Sequence, residues 1–426
     1  MPDVVLLIFF FVLGACVGSF LNVVAGRFPQ APVERRFAWL RAISYPPSHC
    51  PRCGHFLAWR DNLPVVGWIL LGGKCRYCRQ PISIHYPIVE AVTGLLFAGL
   101  YAMFFIVRAG PSAPAPIDPL TDRMPVELAR DWPMFALYLF LAGGLVVITL
   151  IDAERFEIPL ALPWLMALVG VVVHALVDTP TTPGAMNVVE KGRLTTGAAL
   201  AAGGAAGLLV SLLLSWGGMI RDSFPDGEPF LEIDKELWEA EAAEARQAGR
   251  KPPPMPRIWT RREIRREIRK EMAFLMPPLA GALLWHLATE RIDLVHRAWH
   301  SLAQQHWLTG ALGAVLGALA GGLVVWLARI LGTIAFGRVA MGLGDVHLMF
   351  GGGAIIGAGA STLAFFLAPF AGLAYGIWRW LTRGNRELPY GPFLGAAAMV
   401  AVFVYAPVAR YLAPGFAGLR EMLLGP

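Results

Sequence analysis

Pro133-Met-Phe-Ala-Leu-Tyr-Leu-Phe-Leu-Ala-Gly-Gly-Leu-Val-Val-Ile-Thr-Leu-Ile151 runs without a charge and ends on Asp152. An α-helix of about this length crosses ~30 Å of hydrocarbon. Inside lipid its backbone N–H and C=O groups must find partners within the segment. Apolar blocks of the same kind recur along the 426 residues, at about 4–25, 87–107, 159–177, 195–217, 273–289, 310–332, 346–358, 361–380 and 391–412. With 56% hydrophobic residues, 15% charged residues and a mean hydropathy of +0.56, the chain lies far from the soluble norm. The pattern predicts an all-α polytopic membrane protein with about 8–10 transmembrane helices. The block 346–358 is short for a full span and is expected to tilt or sit half-buried beside its neighbours.

The opening block, Val4 to Val24, has no basic n-region and no small-residue cleavage site, so it is read as a retained first span. The Gly- and Ala-rich runs from Gly197 to Gly207 and Gly310 to Gly322 suit close helix packing in lipid. The formal net charge is +6, and most of the 36 Lys and Arg fall in 26–86, 152–158, 218–272, 329–345 and 379–390. These segments lie on one side of the predicted membrane. The bias of basic residues toward the cytoplasm places them there. No basic stripe interleaved with aromatics points to nucleic acid.

The expected organisation is a first transmembrane helix at 1–25, a cytoplasmic Cys₄ domain at 26–86 and helices including Asp152 at 87–217. A charged cytoplasmic insertion at 218–272 and helices including Asp345 at 273–426 follow. The insertion passes from an acidic stretch (Glu228 to Glu244) through Pro252, Pro253, Pro254 and Pro256 to a basic run, Arg261 to Lys270. Glu and Arg three and four apart predict a solvated helix lying along the membrane surface. Segment 108–132, with Pro111, Pro114, Pro116 and Pro119, reads as an irregular linker.

Cys50-Pro-Arg-Cys53 and Cys75-Arg-Tyr-Cys78 can each offer two thiolates to one ion. Together they would close a tetrahedral Cys₄ site in a reducing compartment. Zinc suits a thiolate-only tetrahedron, and a full shell makes the metal structural. Gly54, Gly72 and Gly73 would ease the tight knuckles. Arg52, Lys74, Arg76 and Arg79 would favour thiolates. His49, His55 and His85 flank the site as surface residues. Cys16, within an apolar run, reads as a small packing residue.

Asp152 closes one apolar run, and Asp345, in Gly342-Leu-Gly-Asp345, opens another. Both fall at cytoplasmic ends of spans, so they can meet at one membrane depth. Ionisable groups inside a bundle are costly and usually functional. A pair of carboxylates that shares one proton can activate water with one member and protonate a leaving group with the other. The glycines before Asp345 would admit a substrate backbone and permit unusual dihedrals. On spacing alone, each Asp can equally be a helix cap or a loop residue. Glu154 and Glu157 are read as solvated.

In order along the chain come Gly18-Ser-Phe-Leu-Asn22-Val-Val with Arg27-Phe-Pro, Ser48-His-Cys-Pro-Arg-Cys-Gly-His55, and Asp61-Asn-Leu-Pro64. Cys75 to Cys78 with Pro81-Ile-Ser, then Tyr86-Pro-Ile-Val-Glu90, follow. Ile151-Asp152 with Pro159, Met341-Gly-Leu-Gly-Asp345 and Pro389-Tyr-Gly-Pro-Phe-Leu394 complete the set. This series resembles the type IV prepilin peptidase family, bifunctional GxGD-type aspartyl enzymes. The resemblance implies catalysis by Asp152 and Asp345 on prepilins or pseudopilins of type IV pilus or type II secretion systems. Their short basic leaders are cut at the cytoplasmic face. It also implies N-methylation of the new terminus with S-adenosylmethionine, associated with the cysteine-bearing domain, the residues that bind this donor being unknown.

Three features depart from the family. Two apparently extra spans and the 218–272 segment separate the aspartates, His347 stands where Lys is usual, and no Asp follows Pro159. If the His347 ring reaches the site, its charge would couple to the dyad as pH changes. Two other classes compete: a transporter or channel with a cytoplasmic zinc module, carrying ions on the two aspartates at midplane depth, and a presenilin-like GxGD protease acting on other substrates.

Overall fold

The first helix, α1 (Asp3–Arg27), starts on an acidic residue and ends on a basic one, each complementing the helix dipole at its end. The computed structural model describes residues 3–30, 38–107, 128–177, 193–221, 223–224, 235–247, 251–252, 254–255, 258–302, 305–383 and 389–424. After α1 come the short α2 (Ala38–Ser44) and α3 (Val66–Leu70), then α4 (His85–Tyr101), which continues into a π-helical turn. Next are α5 (Leu128–Arg155), α6 (Ala161–Leu176), α7 (Arg193–Trp216) and α8 (Lys235–Gln247). The chain closes with α9 (Arg261–Arg291), α10 (Asp293–Leu302), α11 (His306–Phe336), α12 (Leu343–Arg383) and α13 (Gly391–Leu424). Among the described residues the only β pairing is two isolated bridges.

Among the described residues seven helices are long and apolar enough to cross a membrane: α1, α4, α5, α7, α9, α11 and α12; α6 and the start of α13 are shorter apolar helices. The all-α polytopic architecture expected from the apolar blocks is therefore present. One detail differs. The blocks 346–358 and 361–380 belong to the single element α12, interrupted at Gly357 with φ 84° and ψ 168°. That region of the map is open essentially only to glycine. Small residues also set the approach of α11 to α12, where a Cβ on Gly317 would lie 2.1 Å from the Gly353 carbonyl oxygen. In α7 and α9 the same device recurs: a Cβ on Gly203 would meet the Gly281 carbonyl at 2.2 Å, and one on Gly207 the Pro277 carbonyl at 2.0 Å. Backbones this close are the interface that small residues permit in lipid.

The main core gathers around α5, whose Tyr138, Leu141, Ile148 and Ile151 are fully buried against α1, α4, α12 and α13. This places the end of α5, and with it Asp152, inside the bundle.

The basic run does not form a separate surface helix. It is the first part of α9, started by a capping box in which Thr260 and Glu263 satisfy each other's backbone N–H groups, and it runs straight on into the apolar span. Ile264, Glu267, Ile268 and Glu271 form a buried face, with Ile264 and Ile268 packed beside Phe224 and Ile330. Burying each isoleucine is worth about 1.5–3 kcal/mol, enough to hold the helix inward. Cys16 also departs from expectation: it is exposed on the outside of the bundle, because its neighbours Gly14, Ala15 and Gly18 occupy the packed face of α1. Most of the 108–132 linker, and Glu228, Pro253 and Pro256 of the insertion, lie outside the described residues.

Candidate functional site

Asp152 lies near the C-terminal end of α5 and Asp345 in the first turn of α12. Both residues are buried, 6% and 7% exposed, and close enough that the charge of Asp152 acts on Asp345. Two backbone N–H groups fix them. Gly391 donates to Asp152 Oδ2 at 3.1 Å, and Gly342 donates to the Asp345 carboxylate. Tyr390 lies within electrostatic reach of Asp345. Such an arrangement holds one proton between two carboxylates and leaves an oxygen on each to handle a water molecule. Glu154 and Glu157 are exposed, as expected.

The glycines work differently from the sequence-based expectation. Neither Gly342 nor Gly344 takes a positive φ. A Cβ on Gly344 would fall 2.9 Å from Ile158 Cβ, so that glycine lets the loop close onto Ile158. At Gly391 a Cβ would fall 2.6 Å from Asp152 Oδ2 and 3.3 Å from Ile158 Cδ1. Gly391→Ala is expected to displace the Asp152 carboxylate and lower kcat for the dyad's reaction about 100-fold. A steady-state assay returning the wild-type kcat would remove Gly391 from the site.

His347 is engaged within its own helix. Its Nδ1 lies 2.8 Å from the Leu343 carbonyl oxygen, and its ring stands 6.5 Å from Trp164. The charges acting on Asp345 are those of Asp152 and Arg329, and Arg329 escaped notice in the sequence. His347→Lys should therefore leave the pH–rate profile unchanged from about pH 5 to pH 9, the range that brackets an ordinary imidazole. A displaced limb would show that the ring does couple.

The second centre is the cysteine pair of pairs. The sulfurs of Cys50, Cys53, Cys75 and Cys78 all lie within 4.8 Å of one another, Cys50 and Cys78 at 3.8 Å. A zinc tetrahedron with Zn–S near 2.3 Å has sulfur–sulfur edges of about 3.8 Å, so the donor set fits that ion. The two knuckles are built alike. Cys50 N–H donates to His55 O and Gly54 N–H to Cys50 O; Cys75 N–H donates to Gln80 O and Arg79 N–H to Cys75 O. The residue after each pair takes a positive φ, Gly54 at 72° and Arg79 at 60°.

Backbone N–H groups of Cys53 and Arg52, rather than basic side chains, bring the Cys50 thiol down to about 7. Cys78 receives a lowering N–H from Gln80, yet burial and the three neighbouring thiols push it up to about 11. Arg76 is engaged elsewhere, in a two-pronged ion pair with Asp61, with Nη2 to Oδ1 at 2.6 Å. The guanidinium holds the Asp61 carboxyl below its ordinary range. His55 stacks on Tyr77 at 3.6 Å, and no histidine belongs to the cysteine cluster.

Residues quoted only as part of a motif prove to tie this module to the bundle. Arg27 Nη1 donates to the Pro46 carbonyl at 2.6 Å, Asn22 Nδ2 to the Tyr86 carbonyl at 3.3 Å, and Val65 N–H to Glu90 Oε2 at 2.7 Å. Val65 sits at φ 61°, strained for a β-branched side chain, and the buried Glu90 is what its N–H meets.

A family model for the bacterial peptidase A24 N-terminal domain matches residues 12–104, and one for the type IV leader peptidase family matches 281–377. A prepilin leader peptidase/N-methyltransferase of Myxococcus xanthus is 52% identical over 90 residues, 21% of this chain and 24% of the relative. Proteins of that name from Burkholderia pseudomallei and Pseudomonas aeruginosa are 40% identical over 134 residues and 34% identical over 169. These matches cover 27% and 36% of this chain, and 41% and 50% of the relatives. The chain thus spans between about a quarter and a half of the length of these relatives. No solved structure matches. The four cysteines and Glu90 fall in the first matched region and Asp345 in the second, whereas Asp152, Gly391 and everything from 105 to 280 fall outside both.

Proposed function

We propose, because the chain belongs to the type IV prepilin peptidase family, that it is a membrane aspartyl endopeptidase with Asp152 and Asp345 as its pair. Its substrates are prepilins or pseudopilins, whose leaders it removes at the cytoplasmic face of a bacterial inner membrane. The observation that carries this reading is the meeting of Asp152 and Asp345 at one buried site, although α6 to α11 intervene between them.

In the reaction, the ionised member takes a proton from water as the water oxygen attacks the scissile carbonyl carbon. The protonated member then gives its proton to the leaving nitrogen as the C–N bond breaks. Gly391 N–H holds the Asp152 oxygen in place, and burial keeps bulk solvent from the exchange. The new N-terminus is then a substrate for methylation, S-adenosylmethionine supplying the methyl group. Names of the relatives support this second activity, and no residue of this chain is assigned to the donor. Zinc on Cys50, Cys53, Cys75 and Cys78 shapes the module associated with it.

The test is incubation of the purified enzyme with a synthetic prepilin carrying a short basic leader and with methyl-labelled S-adenosylmethionine. Leader release and label on the processed peptide are expected. An intact peptide would sink the peptidase reading, and cleavage without label would confine the protein to that first step.

A further inference from the structure

Arg329, near the end of α11, is 4% exposed, and an arginine so buried needs every donor placed. Its Nε donates to Glu271 Oε1 at 3.1 Å, and its Nη2 stands 3.1 Å from the same oxygen in an ion pair. Nη1 donates to the carbonyl oxygen of Met341. Glu271, 4% exposed, is in turn filled by the Trp326 indole N–H at 2.9 Å and the Ser223 hydroxyl at 2.9 Å. The Phe224 ring lies 5.6 Å from the guanidinium carbon. The network is closed at one end and points at a single backbone carbonyl at the other.

That carbonyl belongs to the peptide unit joining Met341 to Gly342, which is planar and rigid. Arg329 holds its oxygen, and its N–H is the group that Gly342 donates to Asp345. A cation on the oxygen end both fixes the plane and polarises the N–H at the other end. We propose that Arg329 is a positioning residue for Asp345, acting through the Met341–Gly342 peptide, and that the insertion helix α9 anchors it by Glu271. This inference rests on the aspartyl reading above. It gives the charged segment before the second matched region a role in catalysis, since Glu271 lies outside both matched regions.

The test measures kcat and KM for leader cleavage in the full-length protein, with Asp345→Asn alongside. Arg329→Met should lower kcat about 100-fold, the cost of a misplaced catalytic group, with KM little changed. Arg329→Lys keeps the charge but lacks the planar fork and should lose less. Glu271→Gln should act in the same direction. A Glu271→Gln, Arg329→Met double variant should be no worse than Arg329→Met alone, because both act through one contact.

Wild-type kcat in Arg329→Met, or additive losses in the double variant, would overturn the proposal. Should Arg329→Met fail to accumulate, Arg329→Lys decides, and a wild-type kcat there overturns it too. An active Asp345→Asn would instead defeat the aspartyl reading itself, so the two failures are distinct.

Discussion

Asp152→Asn and Asp345→Asn should each lower leader cleavage by at least about 10³-fold, the scale set by losing a general acid or base. The protein should still accumulate in the membrane. Asparagine keeps the size and planarity of aspartate, and its side-chain oxygen can still accept the Gly391 N–H that now bonds Asp152 Oδ2 at 3.1 Å. The substitution therefore removes proton transfer and little packing. If the pair works as one catalytic unit, the double variant is expected to be scarcely worse than either single one. Glu154→Gln and Glu157→Gln, at exposed positions beside the same helix end, serve as controls and should retain most activity. Near-normal cleavage by either Asp variant, measured by release of leader from a synthetic prepilin, would end the assignment.

Asp152 and Asp345 were legible because each breaks an apolar run at its end, where a charge is costly. Their common membrane depth was legible as well, from the side on which the basic segments fall. The backbone groups that hold them were not, since spacing carries no information about which loops close on a helix end. Gly391 shows the same limit. Its motif was visible, yet the reason for a glycine is an Asp152 oxygen 2.6 Å from its absent Cβ, 239 positions away in the chain.

The basic run misled for a different reason. Arginines every third or fourth residue suggest a solvated helix, but Ile264, Glu267, Ile268 and Glu271 fall at i, i+3, i+4 and i+7, the spacing of a buried face. Two glutamates in that stripe obscured it, and they are buried because Lys270, Ser223, Trp326 and Arg329 satisfy them. Hydropathy blocks likewise cannot register Gly357, where a backbone dihedral rather than a polar residue divides α12. The cysteine centre was legible throughout, because two CxxC turns state both the ligands and their pairing.

Cys75→Ser should abolish zinc binding by the cysteine cluster and unfold the segment between α1 and α4. Cys75 is 2% exposed and Cys50 7%, and they are the only buried hydrophobic residues described between Pro46 and Ile84. So little apolar burial cannot offset the backbone entropy of ordering such a segment, about 1–2 kcal/mol per residue. Structural zinc supplies roughly 10–16 kcal/mol in small modules of this kind. With the metal gone, the Arg27–Pro46, Asn22–Tyr86 and Val65–Glu90 hydrogen bonds remain, and they hold only the segment's ends and one turn. Proteolysis within 46–84 should therefore become rapid in Cys75→Ser, and in wild type treated with a strong chelator, while the helical bundle stays intact. Methylation should fall further than cleavage, because the dyad is built on α5, α12 and the start of α13 and takes no residue from the module. An active preparation with no zinc by elemental analysis would refute the metal, and a Cys75→Ser protein as resistant to protease as wild type would refute its structural role.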